Sequence, residues 1–264
     1  MHPMSTIAIR AVRKAGSFIS KNYENIDFKE TTQKGIDNFI INFNRNIEQL
    51  IIEIIRKSYP KHSIISKESG THIGIDKYIQ WIIYPLDGIL NFIKHFPHFS
   101  VSIAVLVKGR TEVSVVYDPI RNELFTASRG NGGQLNGYRL RSNYNKNLYT
   151  SILAINFPFK NKKNIISYIK IINTLFTKFS DFRYTGSSLL DLAYVAAGRL
   201  DGFFKITLKP YVFYAGELLI RESGGLITNF INNYNYISIT NIVAGNPYVV
   251  NMILSILRSE LYIK

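Results

Sequence analysis

Hydrophobic and polar positions divide the chain into two textures. Met4, Ile7, Ala8, Ala11, Val12, Ala15, Phe18 and Ile19 recur at intervals of three and four with Arg10, Arg13 and Lys14 between them, which predicts an amphipathic helix over residues 4–19. The same pattern suits a core-facing helix or one lying on a membrane surface, and the core-facing reading is the commoner. Ile47, Leu50, Ile51, Ile54 and Ile55 mark a second helix, with Pro60 just beyond its end. Residues 62–66 read as a short strand running into Lys67-Glu68-Ser69-Gly70. Alternation then predicts an antiparallel meander over residues 101–107, 111–117 and 123–127, with turns at Lys108-Gly109 and Asp118-Pro119 and a tight hairpin at Asn136-Gly137.

After Tyr149 strands alternate with helices. Strands are predicted over 152–157, 181–184, 203–205 and 241–244; helices over 164–179, over 187–197 ending at Gly198, and over 213–223 closed by Gly224-Gly225. Asn246-Pro247 caps a last helix, with proline in its favoured first turn. The pattern predicts a single unit over residues 1–264, with an N-terminal α+β half over 1–149 and a C-terminal α/β half over 150–264 sharing one core.

One stretch joins pattern to chemistry. Trp81-Ile82-Ile83-Tyr84-Pro85-Leu86-Asp87-Gly88 is an apolar run that meets proline, aspartate and glycine together, followed by Ile89-Leu90-Asn91-Phe92. It reads as a buried strand delivering a carboxylate and free backbone N–H groups to one point, an arrangement suited to a metal and a phosphate. Pro-x-Asp-Gly is also a common structural turn, and the peptide alone does not choose between the two.

Composition narrows the field. The chain has no cysteine, which excludes disulfides, thiolate nucleophiles and cysteine zinc sites, and its five histidines lack ligand spacing. No apolar run has the length of a membrane span and the N-terminus lacks a signal peptide's pattern, so a cytoplasmic protein away from membranes is expected. Thirty-two lysines and arginines against 18 acidic residues give a net charge of +14, which favours polyanions such as RNA or acidic protein surfaces. The excess is spread along the whole chain, so it locates no binding face.

Ile55-Arg56-Lys57-Ser58-Tyr59-Pro60, Val116-Tyr117-Asp118-Pro119, Leu135-Asn136-Gly137-Tyr138-Arg139, Leu190-Asp191-Leu192-Ala193, Ala215-Gly216-Glu217 and Ala244-Gly245-Asn246-Pro247 are among segments that cover nearly the whole chain. Together they resemble the inositol monophosphatase family. The resemblance implies a layered αβαβα sandwich of the inositol monophosphatase and fructose-1,6-bisphosphatase type, commonly a homodimer, hydrolysing a sugar or inositol phosphate with magnesium. In the family pattern carboxylates hold the metal, a leucine lends its carbonyl, and a threonine paired with an acid orients the attacking water.

This chain departs from that pattern at most of those positions. The family's metal-ligand positions hold Lys67, Tyr84 and Val212; Asp87 and the backbone carbonyl of Leu86 are retained. The catalytic positions hold Ile41, Asn44 and Ile89. Gly88, Arg183 and Gly186 keep the substrate-binding pattern, whereas a substrate-facing glutamate is replaced by Lys205. Each lost carboxylate forgoes roughly several kcal/mol of attraction for a divalent ion before desolvation. The expectation is therefore that magnesium is not held and the phosphatase is inactive. Lys67 either pairs with Asp87, supplying the missing positive charge, or points into solvent.

Within the family the resemblance is to bacterial members that also act as Nus factors. It implies a non-catalytic role in ribosomal RNA transcription antitermination and rRNA maturation, with RNA polymerase, NusA, other Nus factors and rRNA as partners. Arg139, Arg141 and Arg183 are basic candidates for such contacts, although ordinary surface or dimer positions are the commoner reading of each. The alternative is a magnesium-dependent inositol-1-monophosphatase that releases phosphate from myo-inositol monophosphate using ligands not evident in the sequence. A third reading, a decaying protein, is opposed by the intact turn chemistry at Asn136-Gly137, Gly224-Gly225 and Asn246-Pro247.

Overall fold

The computed structural model describes residues 2–25, 33–156, 165–230 and 241–261. The predicted strand end at 157 and helix start at 164 fall outside them.

Two helices open the chain, α1 (Pro3–Asn25) and α2 (Gln33–Ser58). An eight-stranded sheet follows, built from β1 (His62–Ser66), β2 (Gly70–His72), β3 (Asp76–Asp87), β4 (Ser100–Val107), β5 (Arg110–Asp118), β6 (Glu123–Ser128), β7 (Gly133–Leu135) and β8 (Tyr138–Arg139). Its order is β2-β1-β3-β4-β5-β6-β7-β8, antiparallel throughout except for the parallel pair β1 and β3. The short helix α3 (Ile89–Ile93) lies between β3 and β4.

The second sheet takes β9 (Ile152–Asn156), β10 (Asp181–Arg183), β11 (Gly202–Lys205), β12 (Leu226–Asn229) and β13 (Ile242–Gly245) in the order β10-β9-β11-β13-β12. Helices α4 (Ile165–Phe176), α5 (Ser188–Ala196), α6 (Pro210–Glu222) and α7 (Pro247–Leu261) alternate with these strands.

The period-two rule explains the layering, because neighbouring residues of a strand face opposite sides. On β3, Trp81 and Ile83 pack with Ala8, Val12, Ile47 and Ile51 of α1 and α2, while Ile82 and Tyr84 pack with α5 and α6. On β11, Phe203 joins α5 and α6, and Phe204 joins α4 and α7. Both faces of each sheet are therefore covered, in the order helix pair, sheet, helix pair, sheet, helix pair. The apolar residues form three interlayer clusters, and the one between the sheets draws on both halves of the chain.

Most predicted elements are present; α1 and β3 run longer than predicted, and α4, α5 and β10 end sooner. Helix α2 runs well before Ile47 because Phe43, stacked on Phe18 and Phe92, seats its N-terminal part against α1 and α3. Strands β2 and β12 went unpredicted; at three and four residues they are too short to show a period of their own. Asn136 and Gly137 both have positive φ, 49° and 87°, as a primed two-residue hairpin requires. Asn246 caps α7 by accepting from the Val249 N–H at 2.9 Å.

Candidate functional site

A bulge decides which way Asp87 points. Tyr84 pairs with Ser102 and Asp87 with Ser100, so β3 spends one more residue than β4 between those pairs. Pro85 lies in this irregular step, where its missing N–H interrupts no ladder. Without the extra residue Asp87 would share the face of Trp81 and Ile83, towards α1 and α2. With it, Asp87 turns to the side of Tyr84 and meets α5.

There the carboxylate is engaged. Asp87 Oδ2 accepts from the Ser187 hydroxyl at 2.7 Å and from the Leu189 N–H at 2.9 Å, at the first turn of α5. A buried carboxylate on the positive end of a helix is held by both the hydrogen bonds and the dipole. Gly88 follows at φ 84°, where a Cβ would lie 2.8 Å from the His98 carbonyl oxygen. Gly186, at φ 85°, lies against Asn91, whose side-chain amide donates to the carbonyls of His98 (2.7 Å) and Thr185 (2.8 Å). The two retained glycines thus allow the turn after β3 and the turn before α5 to close on each other.

The residues expected at metal-ligand positions pack as follows. Tyr84 and Val212 are buried in the same cluster between the sheets, and the Tyr84 ring stacks on Tyr211 with centroids 6.0 Å apart. Burial, and then the charges of Asp87 and Glu68, push the Tyr84 hydroxyl's pKa upward, so it stays neutral. The ammonium groups of Lys67 and Lys209 lie 5.8 and 6.0 Å from the centre of its ring. Lys67 takes neither expected course: it pairs with Glu68 at 2.6 Å instead of Asp87. The reason is local, since Glu68 is its chain neighbour whereas Asp87 is occupied by α5.

The lysine that acts electrostatically on Asp87 is Lys205, on β11. It is half-buried, hydrogen-bonded to the Ser188 hydroxyl, and its pKa is lowered by burial while Asp87 and Asp191 act in the opposite sense. Asp191 of α5 is wholly buried. Its pKa is pushed up to about 8, first by burial and then by Asp87, against the Thr185 hydrogen bond (2.7 Å) and Lys205. Its second oxygen has no hydrogen-bond partner among the described residues, as suits a carboxyl that keeps its proton.

Of the other predicted residues, Asn44 is buried and donates to Glu68 at 3.0 Å, and Ile41 is exposed. Ile89 opens α3 and packs on the cluster under α1 and α2, as does Leu86. Arg183 is exposed and pairs with Asp181, away from Asp87's hydrogen bonds. Sequence reasoning missed three participants. Glu48 is buried on α2 and accepts from the backbone N–H groups of Glu68 and Ser69, both at 2.9 Å, fixing the turn that carries Lys67. Its position beside Ile47 and Ile51 on the apolar face was the available signal. Asp191, between Leu190 and Leu192, gave the same one; Lys209 gave none.

Magnesium takes a near-octahedral set of oxygens, usually with at least one or two carboxylates. Here Asp87 has one oxygen committed twice, the buried Tyr84 and Val212 bring no carboxylate, and the cations Lys67, Lys205 and Lys209 lie close by. Among the described residues no three histidine, aspartate or glutamate side chains come together to hold a metal. The residues present do not fit the ion.

Two sheets between three helix layers, with a strand-end Asp-Gly turn meeting the start of a middle-layer helix, define a layered αβαβα sandwich. The chain belongs to the inositol monophosphatase family, whose profile matches residues 1–261. It is 60% identical to Nus factor SuhB of Salmonella typhimurium over 261 residues, 99% of this chain and 98% of that protein, and 58% identical to Nus factor SuhB of Escherichia coli K12 over the same span. Among solved structures it resembles the extragenic suppressor protein SuhB from Bartonella henselae, at 32% identity and a TM-score of 0.85 over 96% of this chain and 98% of that one. It also resembles inositol monophosphatase from Anabaena sp. PCC 7120, at 29% identity and a TM-score of 0.84 over 97% and 95%. Magnesium dependence is general in this family.

Proposed function

We propose that this protein is a Nus factor that keeps the inositol monophosphatase scaffold without its hydrolytic chemistry. The observation that carries the reading is the state of Asp87, the one retained carboxylate, which caps α5 while Tyr84 and Val212 close the space beside it. With no metal there is no activated hydroxide at neutral pH, and Ile89 has no hydroxyl to orient water. The scaffold offers a surface instead. Similarity at 60% identity to Nus factor SuhB supports a place in the ribosomal RNA antitermination assembly and in rRNA maturation. Its proposed partners are RNA polymerase, NusA, other Nus factors and rRNA, in the cytoplasm, with the chain acting as a homodimer. Among the described residues no helix is long and apolar enough to cross a membrane.

The test has two arms. Purified protein is assayed for magnesium-dependent phosphate release from myo-inositol monophosphate, with no turnover expected, and for capture of purified NusA and RNA polymerase, with binding expected. Turnover by the natural protein would reinstate the inositol-1-monophosphatase alternative; failure to capture either partner would remove the Nus-factor reading.

A further inference from the structure

Away from Asp87 the surface carries an open cavity of about 480 Å³, in the size range of small-ligand pockets. Arg139, Arg141, Arg221, Glu222 and Tyr144 line it, together with the Gly130–Gly132 loop. Arg139 belongs to β8, the edge strand of the large sheet, Arg141 and Tyr144 follow it, and Arg221 and Glu222 end α6.

The positive charge here is available. Glu222 is the cavity's one acidic group, and its two oxygens accept from the N–H groups of Gly130 and Gly132 at 2.9 and 2.8 Å, which fixes the loop. Arg221 is engaged with Glu217. Arg139 and Arg141 are exposed and make no side-chain hydrogen bond or ion pair among the described residues. Two glycines shape the rest. The Arg139 guanidinium lies over Gly132, where a Cβ would come within 3.6 Å of it, and a Cβ on Gly224 would lie 2.9 Å from the Tyr144 hydroxyl. The Tyr144 ring itself is 68% exposed and stacks on no other aromatic ring among the described residues.

We propose that this cavity binds one nucleotide unit of single-stranded RNA, with its phosphate on Arg139 and Arg141 and its unpaired base on the face of Tyr144. Guanidinium groups recognise phosphate through paired N–H donors, and an exposed aromatic face accepts any unpaired base. The cavity is open, so a chain can enter and leave it. This deepens the proposed Nus-factor function by naming where RNA is touched, and it rests on that reading for the choice of RNA.

The test is fluorescence anisotropy of a labelled oligouridylate of about twelve nucleotides, titrated with the full-length protein over a range of salt. The double variant Arg139→Gln/Arg141→Gln should bind at least about tenfold more weakly. Its slope of log affinity against log salt should be shallower by about 1.4, two contacts at ~0.7 each on a single strand. Tyr144→Ala should weaken binding by roughly 5- to 150-fold without changing the slope, while Tyr144→Phe should bind like the natural protein. Lys170→Gln, an exposed lysine of α4, should also be unchanged. Natural-like binding by the double variant or by Tyr144→Ala overturns the proposal, as does absence of binding by the natural protein at low salt. A polyglutamate peptide that displaces the oligonucleotide and is itself lost in the double variant, with Tyr144→Ala silent, reassigns the cavity to an acidic protein partner. NusA capture by the same variants separates the two conclusions: the cavity assignment stands or falls on the oligonucleotide, the Nus-factor reading on NusA.

Discussion

Asp87 and Ser187 are 100 positions apart, and the 2.7 Å hydrogen bond between their side chains ties the large sheet to the helix that faces the small one. This carboxylate, which the resemblance sets at a metal-ligand position, accepts two hydrogen bonds from α5. Asp87→Ala should therefore destabilise the protein by about 2–4 kcal/mol, since it leaves the Ser187 hydroxyl and Leu189 N–H buried and unpaired. Asp87→Asn, which keeps one acceptor, should lose less. Urea denaturation checks both, and a neutral Asp87→Ala would show that the contact contributes nothing.

Restoring the family's carboxylates should expose the same trade. Lys67→Glu/Tyr84→Asp/Val212→Asp places three acids around Asp87 and removes the stacked tyrosine, so without metal the variant should melt well below the natural protein. Magnesium should recover part of that loss, whereas the natural protein's melting temperature should not respond to magnesium. Equal responses of the two to the ion would contradict the account of the site.

Asp191 predicts a pH dependence with a definite sign. Its folded pKa of about 8 lies above the ordinary carboxylate value of 3.8, so between those values the folded state holds a proton that the unfolded state has released. Its contribution to stability is complete below about pH 4 and is lost as pH rises towards 8. Asp191→Asn, which still accepts from Thr185, should flatten that fall. Lys205→Met removes a cation that holds the pKa down and should carry the falling limb to higher pH. Thermal melting at intervals from pH 4 to 9 gives the comparison; parallel curves for Asp191→Asn and the natural protein would refute it.

Gly88 tests the close approach of the two turns. Gly88→Ala places a Cβ 2.8 Å from a backbone oxygen that cannot swing away, at a φ of 84°. A loss of about 2–4 kcal/mol is expected from strain and overpacking together. Gly137→Ala, also at positive φ but with no atom near the added carbon, should cost about 1 kcal/mol. Similar losses for the two would mean that backbone strain alone sets the cost.

The sequence by itself determined the elements and the family. The three-four spacing from Met4 to Ile19 and the alternation through β4, β5 and β6 each record which face is buried, and Asn136-Gly137 and Asn246-Pro247 act through their own backbones. Those signals are local, so they survive without tertiary context. Lys67, Tyr84 and Val212, which the resemblance sets at metal-ligand positions, were equally legible, because they are identities at fixed places in a motif. What those residues do was decided by the tertiary structure. One extra residue in β3 turned Asp87 towards α5, and Lys67 paired with Glu68 beside it in place of Asp87. Lys205, more than a hundred residues beyond Asp87 in the chain, became the cation acting on it. Arg139, Arg141 and Tyr144 gained a common cavity only when β8 came to rest beside the end of α6. Electrostatic and packing partners are set by distance in space, and a chain folded into three helix layers and two sheets brings together residues whose separation in sequence carries no trace of it.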